Sequence, residues 1–379
     1  MLRFPTLLIP FAALFFAACS QSERSDDSRA TPPRPVDPTL SEETRALFRN
    51  LHRIGWDPDK IIFGQEFPLT FNRAQSFNTD IEQSDCKDLV GDHPGVHGSD
   101  FHFLMPHNVA EKPYHIAAVK KAYREGAIIT FDFHWSGKYG GDYHYTERDG
   151  ELLYNVTRGD DSEGDVTWFY QTLDQVLAMI NHDIGVPIVF RPFHEMNGDW
   201  FWWGRNLKGG PETYRRAYQL LVDYIRDRSE LVLFCWSPDK GLAAEYYPGN
   251  EYVDIIGMDI YDTGSVEWAS VEQMVGWLED AVDFALENGK VAAFTETGNR
   301  VDYPEGKPDW WMRQTLEPIL ASEKARHIAW MLTWINAPWS KAYVPASDSP
   351  HEAKESFRSF YEHPVTLFQS EVAAELVYQ

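Results

Sequence analysis

Two glutamates stand where a β run ends. Glu195 closes the apolar stretch Val189-Phe190-Arg191-Pro192-Phe193-His194-Glu195 and leads, through Met196-Asn197-Gly198, into the ring-rich Asp199-Trp200-Phe201-Trp202-Trp203-Gly204. Glu296 closes a second, shorter run, Val291-Ala292-Ala293-Phe294-Thr295-Glu296, and is followed by Thr297-Gly298. Two carboxyls can break a glycosidic bond if one is held protonated as the acid and the other ionised as the nucleophile, roughly 5 to 5.5 Å apart for retention of configuration. Their surroundings must then push the two pKa values in opposite directions. Arg191, or a hydroxyl such as that of Tyr261, beside Glu296 would keep that carboxylate charged, whereas Glu195 lies next to the tryptophans and is the better placed to stay protonated. A single glutamate at a strand end is as readily a rim carboxylate as a catalyst. Two at matching positions of one barrel are far less so, because strand ends are where that fold concentrates its chemistry.

The elements that would position the pair are legible. Candidate β runs begin at Ile61, Asp100, Ala127, Pro187, Leu231, Val253, Val291 and Ile328, and amphipathic helical segments lie between them. Ser270-Val271-Glu272-Gln273 reads as a capping box, and Asn288-Gly289 as the stop of the same helix. Pro211 suits the first turn of another. Eight β runs with helical crossovers, and no dinucleotide-type glycine fingerprint, predict an α/β fold, a (β/α)8 TIM barrel over residues 40–379. Alternation puts Arg191, Phe193 and Glu195 on one face of the fourth run, and Phe294 with Glu296 on one face of the seventh. Strands four and seven of a closed barrel face each other roughly across its rim.

The bulk composition narrows the partners. Of 379 residues, 58 are acidic and 34 basic, a formal charge of −24 that repels phosphate backbones and anionic lipid surfaces. Nucleic acid is excluded on that ground, whereas a neutral polysaccharide is indifferent to the field, and 14 tryptophans suit a ligand gripped by stacking. Three cysteines make no disulfide framework: Cys235 lies in an apolar run and Cys86 in a polar loop. His93, His97, His102, His107, His134 and His194 show no zinc-type spacing, and an acid/base pair needs neither metal nor cofactor. Residues 1–18 have the parts of a secretory signal, and Ala17-Ala18-Cys19-Ser20 resembles a bacterial lipoprotein site at which Cys19 is lipidated. Residues 19–39, charged and proline-rich, read as a tether. The expected location is the bacterial cell envelope, at the outer membrane through the lipid anchor alone, with secretion or the periplasm as the fallback.

Arg191-Pro192-Phe193-His194-Glu195-Met196-Asn197-Gly198 with Trp200-Phe201-Trp202-Trp203-Gly204 closely resembles the signature of glycoside hydrolase family 26, best known for β-mannanases. The likeness extends to Thr295-Glu296-Thr297-Gly298 and, in order and spacing, over nearly the whole chain from about Leu40. It implies a retaining, double-displacement hydrolase of β-1,4-mannosidic bonds, with Glu195 as acid/base and Glu296 as nucleophile. His194 would position the sugar and the carboxylates, and His134, ending Phe131-Asp132-Phe133-His134, would touch the sugar on the glycone side. Trp200 would wall the cleft, Tyr261 would hydrogen-bond the nucleophile, and Trp334 would be the stacking floor. Arg191 and Asp259 join the substrate-binding set, Asp259 either touching the sugar or only pinning a neighbour. Without the resemblance, His134 reads as a core histidine satisfied by Asp132 or a carbonyl, and Trp334 as barrel packing. Trp202 and Trp203 are expected to split, one ring inward and one toward substrate, with Asp199 solvated. Residues 72–98 are expected to be a loop that could border one end of the cleft. The same chemistry on β-1,3-xylan or mixed-linkage β-glucan is the nearest alternative. A non-catalytic glycan-binding lipoprotein is a more distant one, because binding alone needs the tryptophans but not two carboxyls.

Overall fold

The computed structural model describes residues 33–75, 77–261, 269–299, 309–340 and 342–379. The signal-type segment 1–18, Cys19 and most of the expected tether lie outside the described residues. Eight parallel strands follow one another around the sheet: β1 (Ile61–Glu66), β2 (Val96–Asp100), β3 (Ile128–Asp132), β4 (Ile188–Arg191), β5 (Val232–Trp236), β6 (Ile255–Tyr261), β7 (Val291–Gly298) and β8 (Trp330–Thr333). Because β1 pairs with both β8 and β2, the sheet closes into the predicted (β/α)8 barrel. A two-residue strand, β9 (Thr366–Leu367), adds to the start of β1.

Alternation along each strand divides the apolar residues between two cores. Inward side chains Ile62, Val96, Ile128, Val189, Leu233, Ile255, Val291, Trp330 and Leu332 fill the lower barrel. Leu47, Phe48, Leu51 and Ile54 of the helix Glu42–Trp56 pack in the same cluster and close that end. Outward side chains such as Phe63, Phe131, Phe190, Phe234, Met258 and Phe294 pack with the surrounding helices. The helix Val271–Asn288 opens on the expected capping box at Ser270 and ends at Gly289 in the left-handed conformation (φ 66°). Pro211 occupies the first turn of Gly210–Arg226.

Four local expectations differ. The second β run is Val96–Asp100 and not the stretch starting at Asp100: the Asp100 side chain caps Phe101–Leu104 as a short 3-10 helix, accepting from the His102 N–H at 2.7 Å. Cys86 is fully buried in the helix Asp85–Val90, so residues 72–98 hold a helix and a strand and are not one loop. Phe193 does not share a face with Arg191 but packs outward on Trp135, with Trp202, Trp203 and Tyr214 close by. The last part of the expected tether is docked, since the Val36 N–H donates to Asp254 Oδ1 at 2.7 Å and Asp37 is buried.

Candidate active site

Glu195 sits on a turn that departs from strand geometry. β4 ends at Arg191, and both Phe193 (φ 52°) and Glu195 (φ 53°) adopt the left-handed conformation, which costs a non-glycine residue roughly 1–2 kcal/mol. The turn is held by bonds to its own backbone: Tyr214 Oη donates to the Phe193 carbonyl at 3.1 Å and Trp203 Nε1 to the His194 carbonyl at 2.8 Å. The Glu195 N–H donates to the Ser237 carbonyl at 2.7 Å. Gly198 makes room for the next aromatic, because a Cβ there would lie 2.4 Å from the Trp200 ring. Trp200 Nε1 donates to Glu195 Oε2 at 2.8 Å. Burial first, then the charges of Glu296, Asp259 and Asp239, raise the Glu195 carboxyl well above its ordinary range, against the pull of Trp200.

Glu296 reaches the barrel interior by a bulge. Met258 pairs with Phe294 but the next residue, Asp259, pairs with Glu296, so Thr295 is an extra residue on β7. Phe294 therefore faces outward, contrary to the expected alternation, while Thr295 and Glu296 both serve the inside. Arg191 Nη2 donates to Glu296 Oε1, and Tyr261 Oη donates to Glu296 Oε2 at 2.8 Å. Carboxyl oxygens of Glu195, Asp259 and Glu296 lie within 4.8 Å of one another.

Arg191 is placed differently from the expectation of substrate contact, and Asp259 fits the second of its two expectations, pinning a neighbour. Both are buried beneath the cleft, 1% and 0% exposed, and bond to each other at 3.0 Å. Asp259 Oδ1 also accepts from Ser237 Oγ at 2.7 Å and Thr295 Oγ1 at 2.6 Å. They pin Glu296 from below, which leaves them without access to a sugar.

The cleft itself, about 440 Å³, is lined by His134, His194, Glu195, Trp200, Tyr261, Glu296 and Trp334 from the sequence reading. Tyr143, His144, Phe201, Asp239, Lys240 and Tyr343 complete it; Phe201 belongs to the ring-rich motif after Glu195, whereas the other five stand in no motif quoted from the sequence. His134 Nδ1 donates to Asp100 Oδ2 at 2.8 Å. Burial would lower its pKa, but that bond and the charges of Asp100, Asp132 and Glu296 outweigh burial and push it up to about 9. His194 is the opposite: burial, then the positive charges of His134 and Arg191, hold its pKa well below the ordinary value. A neutral imidazole thus lies beside a cationic one, ring centroids 4.8 Å apart. Asp199 is exposed and paired with Arg205, while Trp202 and Trp203 are both fully buried, their indole N–H groups spent on the Trp135 and His194 carbonyls, so neither ring faces substrate. Asp132, His134 and His194 also bring donor atoms within 4.8 Å, as a metal site would. In that group His134 is already protonated, and in the Glu195 group Arg191 already bridges Asp259 and Glu296.

Two carboxyls this close, one driven toward its protonated form, on the strand-end face of a (β/α)8 barrel, form the site of a glycoside hydrolase. Residues 36–344 match the model of glycosyl hydrolase family 26, and the chain belongs to that family. It is 30% identical over 373 residues to a mannan endo-1,4-beta-mannosidase of Bifidobacterium adolescentis, covering 88% of this chain and 35% of that one. The chain thus spans about a third of that relative's length. Among solved structures it is similar to the catalytic domain of a Bacillus endo-beta-1,4-mannanase of this family (TM-score 0.81, 28% identity, 93% of this chain and 98% of the other). It is also similar to a Cellulomonas fimi endo-beta-1,4-mannanase (TM-score 0.79, 28% identity, 91% and 80%).

Proposed function

We propose that this protein hydrolyses β-1,4-mannosidic bonds in mannan-type polysaccharides with retention of configuration. The observation that carries the mechanism is the approach of Glu195 and Glu296 to within 4.8 Å, which suits direct attack and leaves no room for the water that inversion requires. Trp334 receives the face of the reacting mannose, and His134 and His194 orient its hydroxyls. Glu296 Oε attacks the anomeric carbon as the Glu195 proton passes to the glycosidic oxygen, and the leaving chain departs. A water then attacks the same carbon, gives its proton to Glu195, and frees Glu296. The printed activities of the relatives support the mannan assignment.

A reducing-sugar assay on β-mannan tests it. Glu296→Ala should lower turnover by about three orders of magnitude or more. Equal sugar release by parent and variant would remove the nucleophile assignment, and no release by the folded parent would favour a glycan-binding role. The lipid anchor is a separate proposal resting on Ala17-Ala18-Cys19: Cys19→Ala should move the protein from the membrane pellet to the supernatant, and unchanged fractionation counts against it.

A further inference from the structure

Five residues beyond Trp334 stands a tryptophan that the chemistry above does not use. Trp339 is 62% exposed, which leaves most of a large apolar ring open to solvent. Its ring meets Phe71 by an edge contact, centroids 6.1 Å apart at 83°.

The segment that carries it is clamped. Arg73 Nη1 donates to the carbonyls of Ala337 (3.3 Å), Pro338 (3.4 Å) and Ser340 (3.0 Å), while its Nε pairs with Asp348 at 2.9 Å. Asn336 closes the base, giving its amide to the Val344 carbonyl at 2.8 Å and accepting the Val344 N–H at 3.0 Å. An exposed ring on a fixed platform has already lost the freedom that binding would otherwise cost it. Phe71 belongs to the cluster of Phe67, Phe71 and Ile335 against which Trp334 also packs. Trp334 and Trp339 therefore flank one aromatic cluster at the same end of the barrel, one inside the cleft and one outside it.

We propose that Trp339 is a distal sugar-stacking subsite, which takes β-linked pyranose residues of the polysaccharide whose reacting bond lies between Glu195 and Glu296. The apolar C–H face of a pyranose matches an indole, and a neutral chain meets no repulsion from a protein of charge −24. The identity of the sugar rests on the mannan reading above, whereas the stacking itself does not.

The test uses the intact protein, Trp339→Ala and Trp339→Phe. On long soluble mannan, KM for the Ala variant should rise about three- to tenfold with kcat unchanged, and Phe should recover part of the loss. An aryl mannoside confined to the reacting site should be turned over alike by all three. Equal polymer KM values, or parallel losses on both substrates, overturn the subsite. In native gels containing β-mannan, xylan or β-glucan, the Ala variant should run ahead of the parent wherever the parent is retarded. That outcome supports the subsite even if mannan is not the substrate. Equal mobilities, or a parent retarded by none of the three, overturn it.

Discussion

The lower and upper halves of the barrel interior are built from the same strands and have opposite chemistry. Two residues up from Val189 the inward position is Arg191, and from Ile62 through Gly64 the next inward residue is Glu66. Below, branched aliphatic side chains interdigitate. Above, Glu66, Asp100, Asp132, Asp259 and Glu296 share the space with Arg191 and His134. An apolar layer can be exchanged for another of the same volume, but a buried ionic layer is strongly destabilised when one member is removed. The fold is thus insured by its lower half, and its upper half is spent on the chemistry.

Removing Arg191 should break that contrast most severely. Arg191→Met leaves Asp259 and Glu296 without their shared cation, at a cost of about 3–5 kcal/mol in denaturant unfolding, and it frees Glu296 to move. Leu233→Ala, in the apolar layer, should cost a similar about 2–5 kcal/mol yet leave kcat near that of the parent at a temperature where both are folded. If the two variants lost kcat alike, the two halves would not be functionally distinct.

Glu66 sharpens the comparison through pH. Both its oxygens are buried without a hydrogen-bond partner, Gly98 opposite leaves the room that a Cβ would fill, and burial raises its pKa well above the ordinary value. The folded form keeps the proton while the unfolded chain releases it. The stability this group contributes is therefore full below about pH 4.3 and falls as pH rises toward the folded pKa. Glu66→Gln should gain on the parent by at most about 1.4 kcal/mol per pH unit across that window, read from urea midpoints between pH 5 and 8. A constant difference at all pH values would mean Glu66 is ionised in the fold. The smallest effect is expected from Trp200→Phe: losing the indole N–H removes a bond that holds the Glu195 pKa down. The alkaline limb of kcat/KM should move upward by a fraction of a pH unit. A downward shift would reverse the assigned role of that bond.

The periodic part of the molecule was legible in the residues. Seven of the eight strand positions and the capped helix at Ser270 follow from local pattern and turn chemistry. β2 was not, because Val96-His97-Gly98-Ser99-Asp100 has small and polar residues where Glu66 needs space, and Phe101-His102-Phe103-Leu104 carries the stronger β texture. Cleft residues at motif positions were legible too, including Glu195, Glu296 and Trp334. Burial of Arg191 and Asp259 was not, since their partners, Ser237, Thr295 and Glu296, are 22 to 105 positions away in the chain. Nor can the left-handed turn at Phe193 and Glu195 be read locally, because tertiary bonds from Tyr214, Trp203 and Ser237 hold it.

The extra residue at Thr295 ties the catalyst to the length of a strand. Were β7 regular through Thr295, strict alternation from Phe294 would pair Thr295 with Asp259 and turn the carboxylate of Glu296 out among the helices, with every side chain of the motif still present. In this molecule, the register of one strand against its neighbour is itself part of the catalytic apparatus.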